Sequence, residues 1–350
     1  MRIGLDHYTI AHRGLAPLQA LAHVKSLGLD GLQFLEPSAL AADLDPARLG
    51  EIRDQAAADG LYLEIGIPSP NPVRRSRAVG RTVEPDEHAD ALRREVEAAK
   101  LLGVRHIRAY IGDRHDRFRT DTPWATQLDA SADVIRRLSP LLRDLGLRIA
   151  IETHADLTVA EILRLLDVLG TDTAGVTLDT GNLFMRLEDP LPAATRLAPY
   201  VLATHLKDAV VFPTDRGLAW QSRPLGSGLV PLPEILTLLA RHHPDLALSI
   251  ELHPRTYDLP IADPSWLAFF PDLEPGSVEA IVAHSRRAAG APYNKEGIPL
   301  DPAAIEAISW PDREPAWVAQ SAQFLRRMVE EIAPRRPPGG DQSTSRSLPS

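Results

Sequence analysis

Apolar positions along the chain alternate between two patterns. Short β-branched or Leu/Ile runs read as strands: Arg2–Asp6, Gly31–Leu35, Leu61–Ile65, His106–Tyr110, Arg148–Glu152, Gly175–Asp179, Tyr200–His205 and Leu246–Glu251. Between them fall segments of helical period: Leu15–Leu27, Pro46–Ala58, Glu84–Leu102, Ala125–Leu145, Val159–Val168, Pro190–Leu197, Pro233–Arg241 and Pro315–Ile332. Asp45-Pro46 and Thr122-Pro123 supply a capping residue before a first-turn proline. Gly28, Gly60, Gly103, Gly146 and Gly170 follow helical runs as stop signals. Strand then helix, eight times over, predicts one α/β domain built as a (β/α)₈ barrel, residues 1–333. A doubly wound open sheet is the rival, and eight regular units favour closure.

Two stretches fall outside this rhythm. Residues 253–313, after the last strand, far exceed the usual connection. They carry Tyr257, Trp266, Phe269, Phe270, Tyr293 and Trp310, with a helical pattern over Ser277–Ala289. This insertion is expected to cap the barrel mouth or to build a homo-oligomer interface. Residues 334–350 are Pro, Gly and Ser rich and read as a disordered tail.

Composition narrows the chemistry. The 350 residues include no cysteine, which excludes disulfides, thiolate metal sites and a thiol nucleophile. The net charge of −9 argues against nucleic acid or an anionic membrane surface as partner. No run approaches the ~20 apolar residues of a membrane span, and no signal peptide is evident, so a cytoplasmic location is expected.

In a closed barrel the working face is the C-terminal end of the strands. Four consecutive strands end there in a carboxylate or an imidazole: IETH in Glu152, LDTGN in Asp179, THLKD in His205 and IELH in Glu251. Three carboxylates and one imidazole at one height call for a cation. A donor set without sulfur suits one Mn, Mg, Co or Zn ion.

The run IETH…LDTGN…HLKD…IELH resembles the xylose isomerase-like TIM-barrel superfamily of sugar isomerases and epimerases. The resemblance implies that Glu152, Asp179, His205 and Glu251 ligate one divalent metal. It also implies that Glu152 and Glu251 form the acid and base pair. The implied chemistry is removal of a proton alpha to a carbonyl, through an enediolate. Return of that proton to the opposite face epimerises the sugar, and return to the adjacent carbon isomerises it. Expulsion of an aglycone or water from a 3-keto-glycoside or inosose would make the protein a lyase instead. His154 is a candidate catalytic base that fits the lyase reading. Glu36, Asn182, Lys207, Asp208 and His253 are candidate substrate-binding residues for a keto-sugar or glycoside. Asp6, His7, Glu64, Asp113 and His115 are further candidates to line the site. The related endonucleases are a disfavoured reading on two grounds: the chain lacks a strongly basic composition, and Asn182 stands where they carry histidine. A non-catalytic sugar-binding barrel is a third reading, disfavoured by the intact ligand set.

Two loop features stay open. Arg74, Arg75, Arg77 and Arg81 either grip an anion or form a solvated segment. Gly226-Ser227-Gly228 would offer backbone N–H groups to an anion or hydroxyl.

Overall fold

A computed structural model describes residues 1–288 and 301–332. The strands in chain order are β1 (Arg2–Asp6), β2 (Gly31–Phe34), β3 (Tyr62–Ile65), β4 (His106–Ala109), β5 (Arg148–Glu152), β6 (Ala174–Asp179), β7 (Val201–His205), β8 (Asp208–Thr214), β9 (Gly217–Arg223), β10 (Ala247–Ile250) and β11 (Thr256–Leu259). Eight of these match the expected runs to within a residue or two. They form two parallel sheets, β10-β1-β2-β3 and β4-β5-β6-β7. Bridges Gly66↔Arg108 and Leu206↔Ile250 join the sheets at both seams, so the barrel closes. The stop glycines work as expected: Gly28, Gly60, Gly103, Gly146 and Gly170 all have positive φ, a region where only glycine avoids a steric penalty.

The helices follow the apolar stripes to within two residues, except the last, which begins at Trp310 and carries Pro315 inside its first turns. Asp45 caps Pro46–Ala58 by accepting from Ala47 N. Thr122 does not cap, since the next helix begins at Trp124. Buried Leu, Ile and Val from strands and helices make one continuous core, including Leu32, Ile107, Ile149, Val176 and Leu248. Among the described residues no helix is long and apolar enough to cross a membrane.

Two regions depart from the sequence reading, and a third adds detail to it. The arginine segment is a helix, Pro72–Val79, whose N-cap Asn71 accepts from Val73 N and Arg74 N. The segment after β7 is a hairpin: β8 and β9 pair antiparallel around Asp215 and Arg216, and β11 joins the far edge of β9. The residues after β10 hold β11, a short helix Pro264–Leu267, a helix Ser277–Ala288 and a turn of helix Pro302–Glu306, before the last helix starts at Trp310. Tyr257 stands opposite Trp220 across β11 and β9. Trp266, Phe269 and Phe270 pack around Phe118, at centroid distances of 5.6, 5.2 and 5.9 Å. Tyr293 and the expected tail, 334–350, lie outside the described residues.

Candidate functional site

The ends of β5, β6 and β7 and the residue after β10 bring Glu152, Asp179, His205 and Glu251 together. Each offers a ligand atom within 4.8 Å of the others, and all four are buried. Alternation explains the convergence: residues two apart on a strand share a face, and the last inward position of each strand reaches the same height.

The arrangement fits a divalent cation. His205 Nδ1 lies 3.0 Å from Glu152 Oε1 and 2.6 Å from Glu251 Oε2. One ring nitrogen carries at most one hydrogen, so it cannot serve both carboxylates. Glu251 Oε2 accordingly makes no hydrogen bond. A cation with ligand distances of about 2.0–2.2 Å would satisfy both oxygens and the nitrogen together. The charge balance agrees. Burial opposes a charge on His205, yet Glu251 and Glu152 override it and push the imidazole well above its ordinary range. Asp179 is pushed up to about 6 by burial, only partly offset by Lys207.

The surrounding groups hold each donor in place. Arg108 Nε donates to Glu152 Oε2 at 2.7 Å, which leaves Oε1 facing His205. Burial would raise Glu152, but Arg108 and His205 hold its carboxyl well below the usual carboxylate range. Asn182 Nδ2 donates to Asp179 Oδ2 at 2.7 Å, and Gly181 N and Asn182 N both donate to Asp179 Oδ1 at 3.0 Å. Lys207 Nζ lies 2.8 Å from Asp179 Oδ2 and 3.3 Å from Glu251 Oε1. Burial again opposes Glu251, and Lys207 and His205 bring it well below its ordinary range.

Gln33 completes the set. It is fully buried on β2, and its Oε1 faces His205 Nε2. Its amide cannot turn over freely, because Nε2 donates to Glu64 Oε2 at 3.3 Å and a carboxylate only accepts. Once the ring is neutral, Nε2 therefore keeps the hydrogen and Nδ1 presents a lone pair toward the carboxylates.

A cleft of about 480 Å³ opens onto this group. Glu251, Lys207, Asn182, His154 and His253 line it, while Glu152 does not. His154 Nδ1 lies 2.9 Å from Gly112 O. A carbonyl only accepts, so the hydrogen sits on Nδ1 and Nε2 is a free acceptor. His253 has the opposite polarity: Arg255 N approaches its Nδ1 at 3.4 Å, leaving Nε2–H as a donor. Burial lowers both imidazoles from their ordinary range, and Lys207 lowers His253 further. Trp220, fully buried on β9, backs His253 at a centroid distance of 5.2 Å and donates from Nε1 to Gly181 O.

Two candidate substrate groups are placed elsewhere. Asp208 does not line the cleft, because its carboxylate accepts from the N–H groups of Ala209, Gly226, Gly228 and Val230 at 2.8, 3.0, 2.8 and 3.1 Å. The glycine turn thus binds an anion of the chain itself. Glu36 precedes the short helix Pro37–Leu40 and also stays outside the cleft, where burial and Glu95 raise its carboxyl. Asp6, His7, Asp113 and His115 do line it. Glu64 points into the barrel below, held by Ser249 Oγ and His106 Nε2. The arginine helix meets carboxylates: Arg74 bonds Asp113 and Asp116, and Arg77 bonds Asp116. Gln33 and Arg108 escaped the sequence reading. Their signal was a polar residue in the interior of each of two strand runs, GLQF and HIRA.

Comparisons with known proteins agree with this architecture. A family model described as xylose isomerase-like TIM barrel matches residues 21–268. Uncharacterized protein YihM of Escherichia coli (strain K12) is 29% identical over 112 residues, 32% of this chain. The match spans about a third (34%) of the length of that curated relative. A solved structure of D-psicose 3-epimerase with D-fructose superimposes with a TM-score of 0.59 at 17% identity, covering 94% of this chain and 99% of that one. The 3-keto-D-glucoside 4-epimerase YcjR from E. coli gives 0.56 at 14% identity, covering 78% and 100%.

Proposed function

Because the chain belongs to the xylose isomerase-like TIM-barrel family, we propose that it is a divalent-metal-dependent sugar isomerase or epimerase that removes a proton alpha to the carbonyl of a keto-sugar. The observation that carries this reading is the convergence of Glu152, Asp179, His205 and Glu251 on one point below an open cleft. These four residues would hold one Mn, Mg, Co or Zn ion. Bound there, the ion would polarise the sugar carbonyl and offset the negative charge that grows on its oxygen.

The other tasks fall to the chain. Glu251 is the one ligand carboxylate that lines the cleft, so it is assigned the proton transfer from carbon. Lys207 Nζ, fixed between Asp179 and Glu251, keeps that carboxylate ionised and ready to accept. Asn182 orients Asp179 and offers the edge of its amide to a substrate hydroxyl. His253 donates from Nε2 to a sugar oxygen.

Glu152 is the resemblance-based partner for the opposite face, yet Arg108 closes it off from the cleft. That observation favours a second proton carrier, His154, which lines the cleft and has Nε2 as its acceptor nitrogen. A His154 base also fits the alternative outcome, elimination of an aglycone or water from a 3-keto-glycoside or inosose.

The test is metal content together with hydrogen exchange. The purified chain should carry about one divalent ion, lost on Glu152→Ala or Glu251→Ala. In D₂O it should exchange the alpha hydrogen of a ketose, an inosose or a 3-keto-glucoside. Glu251→Gln should slow that exchange by roughly 10²–10⁴, the usual contribution of a positioned base. Product analysis separates the outcomes: an inverted centre, a shifted carbonyl or a released aglycone. A metal-loaded chain that exchanges no hydrogen on any of these sugars would refute the proposal.

A further inference from the structure

Two guanidinium groups at the cleft have no carboxylate of their own. Arg108 is taken by Glu152, Lys207 by Asp179 and Glu251, and Arg74 by Asp113 and Asp116. Arg114 and Arg255 also line the cleft, and neither has an acidic partner among the described residues. They come from opposite sides of the mouth. Arg114 follows β4 and Arg255 follows β10, strands half a turn apart in the eight-strand barrel.

Both are organised on a single ring. The Arg114 guanidinium lies 4.6 Å from the ring centroid of Tyr257, and Arg255 Nη1 lies 3.4 Å from its hydroxyl. Tyr257 is itself held, since it pairs with Trp220 in the sheet and its ring lies 5.7 Å from the Trp220 ring.

In a chain of net charge −9, two cations left unpaired across one aromatic ring are out of place. Like charges held close together repel, and an anion between them would relieve that repulsion. The guanidinium fork matches the oxygens of a carboxylate or phosphate, and an ammonium would not. The position matters as well. Glu251 and Lys207 lie at the floor of the cleft, where the reacting carbons belong, and the two arginines flank its mouth.

We infer that the substrate is an anionic keto-sugar, with a carboxylate or phosphate at the end remote from its carbonyl, and that Arg114 and Arg255 grip that group on either side of Tyr257. The keto-sugar part rests on the function proposed above. The oxyanion grip rests on the geometry of the mouth alone.

The experiment is isothermal titration of the full chain, supplied with Mn²⁺, using D-fructose, D-fructuronate and D-fructose 6-phosphate, which differ at C6. One of the two anions should bind roughly tenfold to a hundredfold tighter than fructose, the scale of a hydrogen bond to a charged group. Fructuronate as the winner identifies a carboxylate site, and fructose 6-phosphate a phosphate site. The preference should collapse in the Arg114→Gln/Arg255→Gln double variant, whose melting temperature should match the parent because neither side chain has an internal carboxylate. It should shrink with added salt. Arg143→Gln, which removes only an exposed pair with Asp172, should leave the preference intact.

Fructose binding as tightly as both anions overturns the inference. So does an anion preference that survives the double substitution, or no binding of any of the three sugars. Hydrogen exchange on the same sugars separates the two proposals. Anion preference without exchange on these sugars or on the inosose and 3-keto-glucoside keeps the grip and refutes the reaction, and exchange without preference does the reverse.

Discussion

Replacing Gln33 should weaken metal binding although Gln33 touches no metal. Its Oε1 is the acceptor for His205 Nε2, and its own amide is locked by Glu64. When His205 turns Nδ1 to a cation the ring is neutral, so its one hydrogen sits on Nε2 and needs that acceptor. Gln33→Leu keeps the volume close and removes the acceptor. The remaining candidate, Asp6 Oδ2, stands 3.5 Å away, beyond a good hydrogen bond. An unsatisfied donor in a fully buried place costs ~1–3 kcal/mol. That cost falls on the metal-binding tautomer, so the Mn²⁺ dissociation constant should rise ~10–100-fold, the range seen when partners of ligating histidines are removed. Glu64→Gln frees the amide of Gln33 without deleting it, so a smaller loss is expected. The assay is competition between the protein and a chromophoric chelator for Mn²⁺ at fixed pH, with apo-protein melting as the folding control. A dissociation constant within about twofold of the parent, under half a kcal/mol, in a folded Gln33→Leu variant would refute the reasoning.

Two further outcomes test groups outside the chemistry. Burial pushes Asp156 up to about 8 from 3.8, so the folded state keeps a proton that the unfolded chain releases. The stability this contributes is complete below about pH 4 and is lost as pH rises toward 8. Asp156→Asn mimics the protonated acid and can still accept from Gly112 N, so its melting temperature should exceed the parent's at pH 8–9 but not at pH 4; equal offsets at both would count against it. Asp208→Ala orphans four backbone N–H groups of the hairpin and glycine turn. Urea unfolding should show a loss of at least ~3 kcal/mol, since each bond to a charged acceptor contributes ~1.5–3 kcal/mol, and a loss below ~1 kcal/mol would show that the turn stands without it.

The barrel was legible because its signals are local. Five of the eight strand runs sit between a glycine stop and the next helical stripe, and Gly28, Gly60, Gly103, Gly146 and Gly170 mark those boundaries in the chain itself. The four converging donors were legible for a related reason: each closes a strand, and closure of the barrel does the rest. What escaped depends on neighbours distant in sequence. Gln33 meets His205 across the barrel, 172 positions away, and nothing in GLQF says which way Gln33 points. Arg108 reads as an exposed residue until Glu152 is placed beside it. Asp208 looked like a substrate ligand because it follows Lys207, and only the return of Gly226–Val230 shows where its oxygens go. The helix at Pro72 did carry a local signal, since Asn71-Pro72 is the same cap-and-proline pair as Asp45-Pro46, but the arginine run obscured it.

The third sheet, β8 and β9 with β11 on its far edge, ties the segment after β7 to the segment after β10. Tyr257, on the cleft wall, stands opposite Trp220, on the ribbon wall behind it, so the two walls share one set of backbone hydrogen bonds. Neither wall can be exchanged alone. A transplant of the last segment from a relative would leave β9 with a bare edge, open to pairing with another chain, and a transplant of the hairpin would leave β11 without its template. The pair behaves as one heritable cassette. Diversification of substrate range on this barrel would therefore proceed by replacing both walls together above an unchanged floor, and laboratory recombination should place its crossover points after β7 and ahead of the last helix.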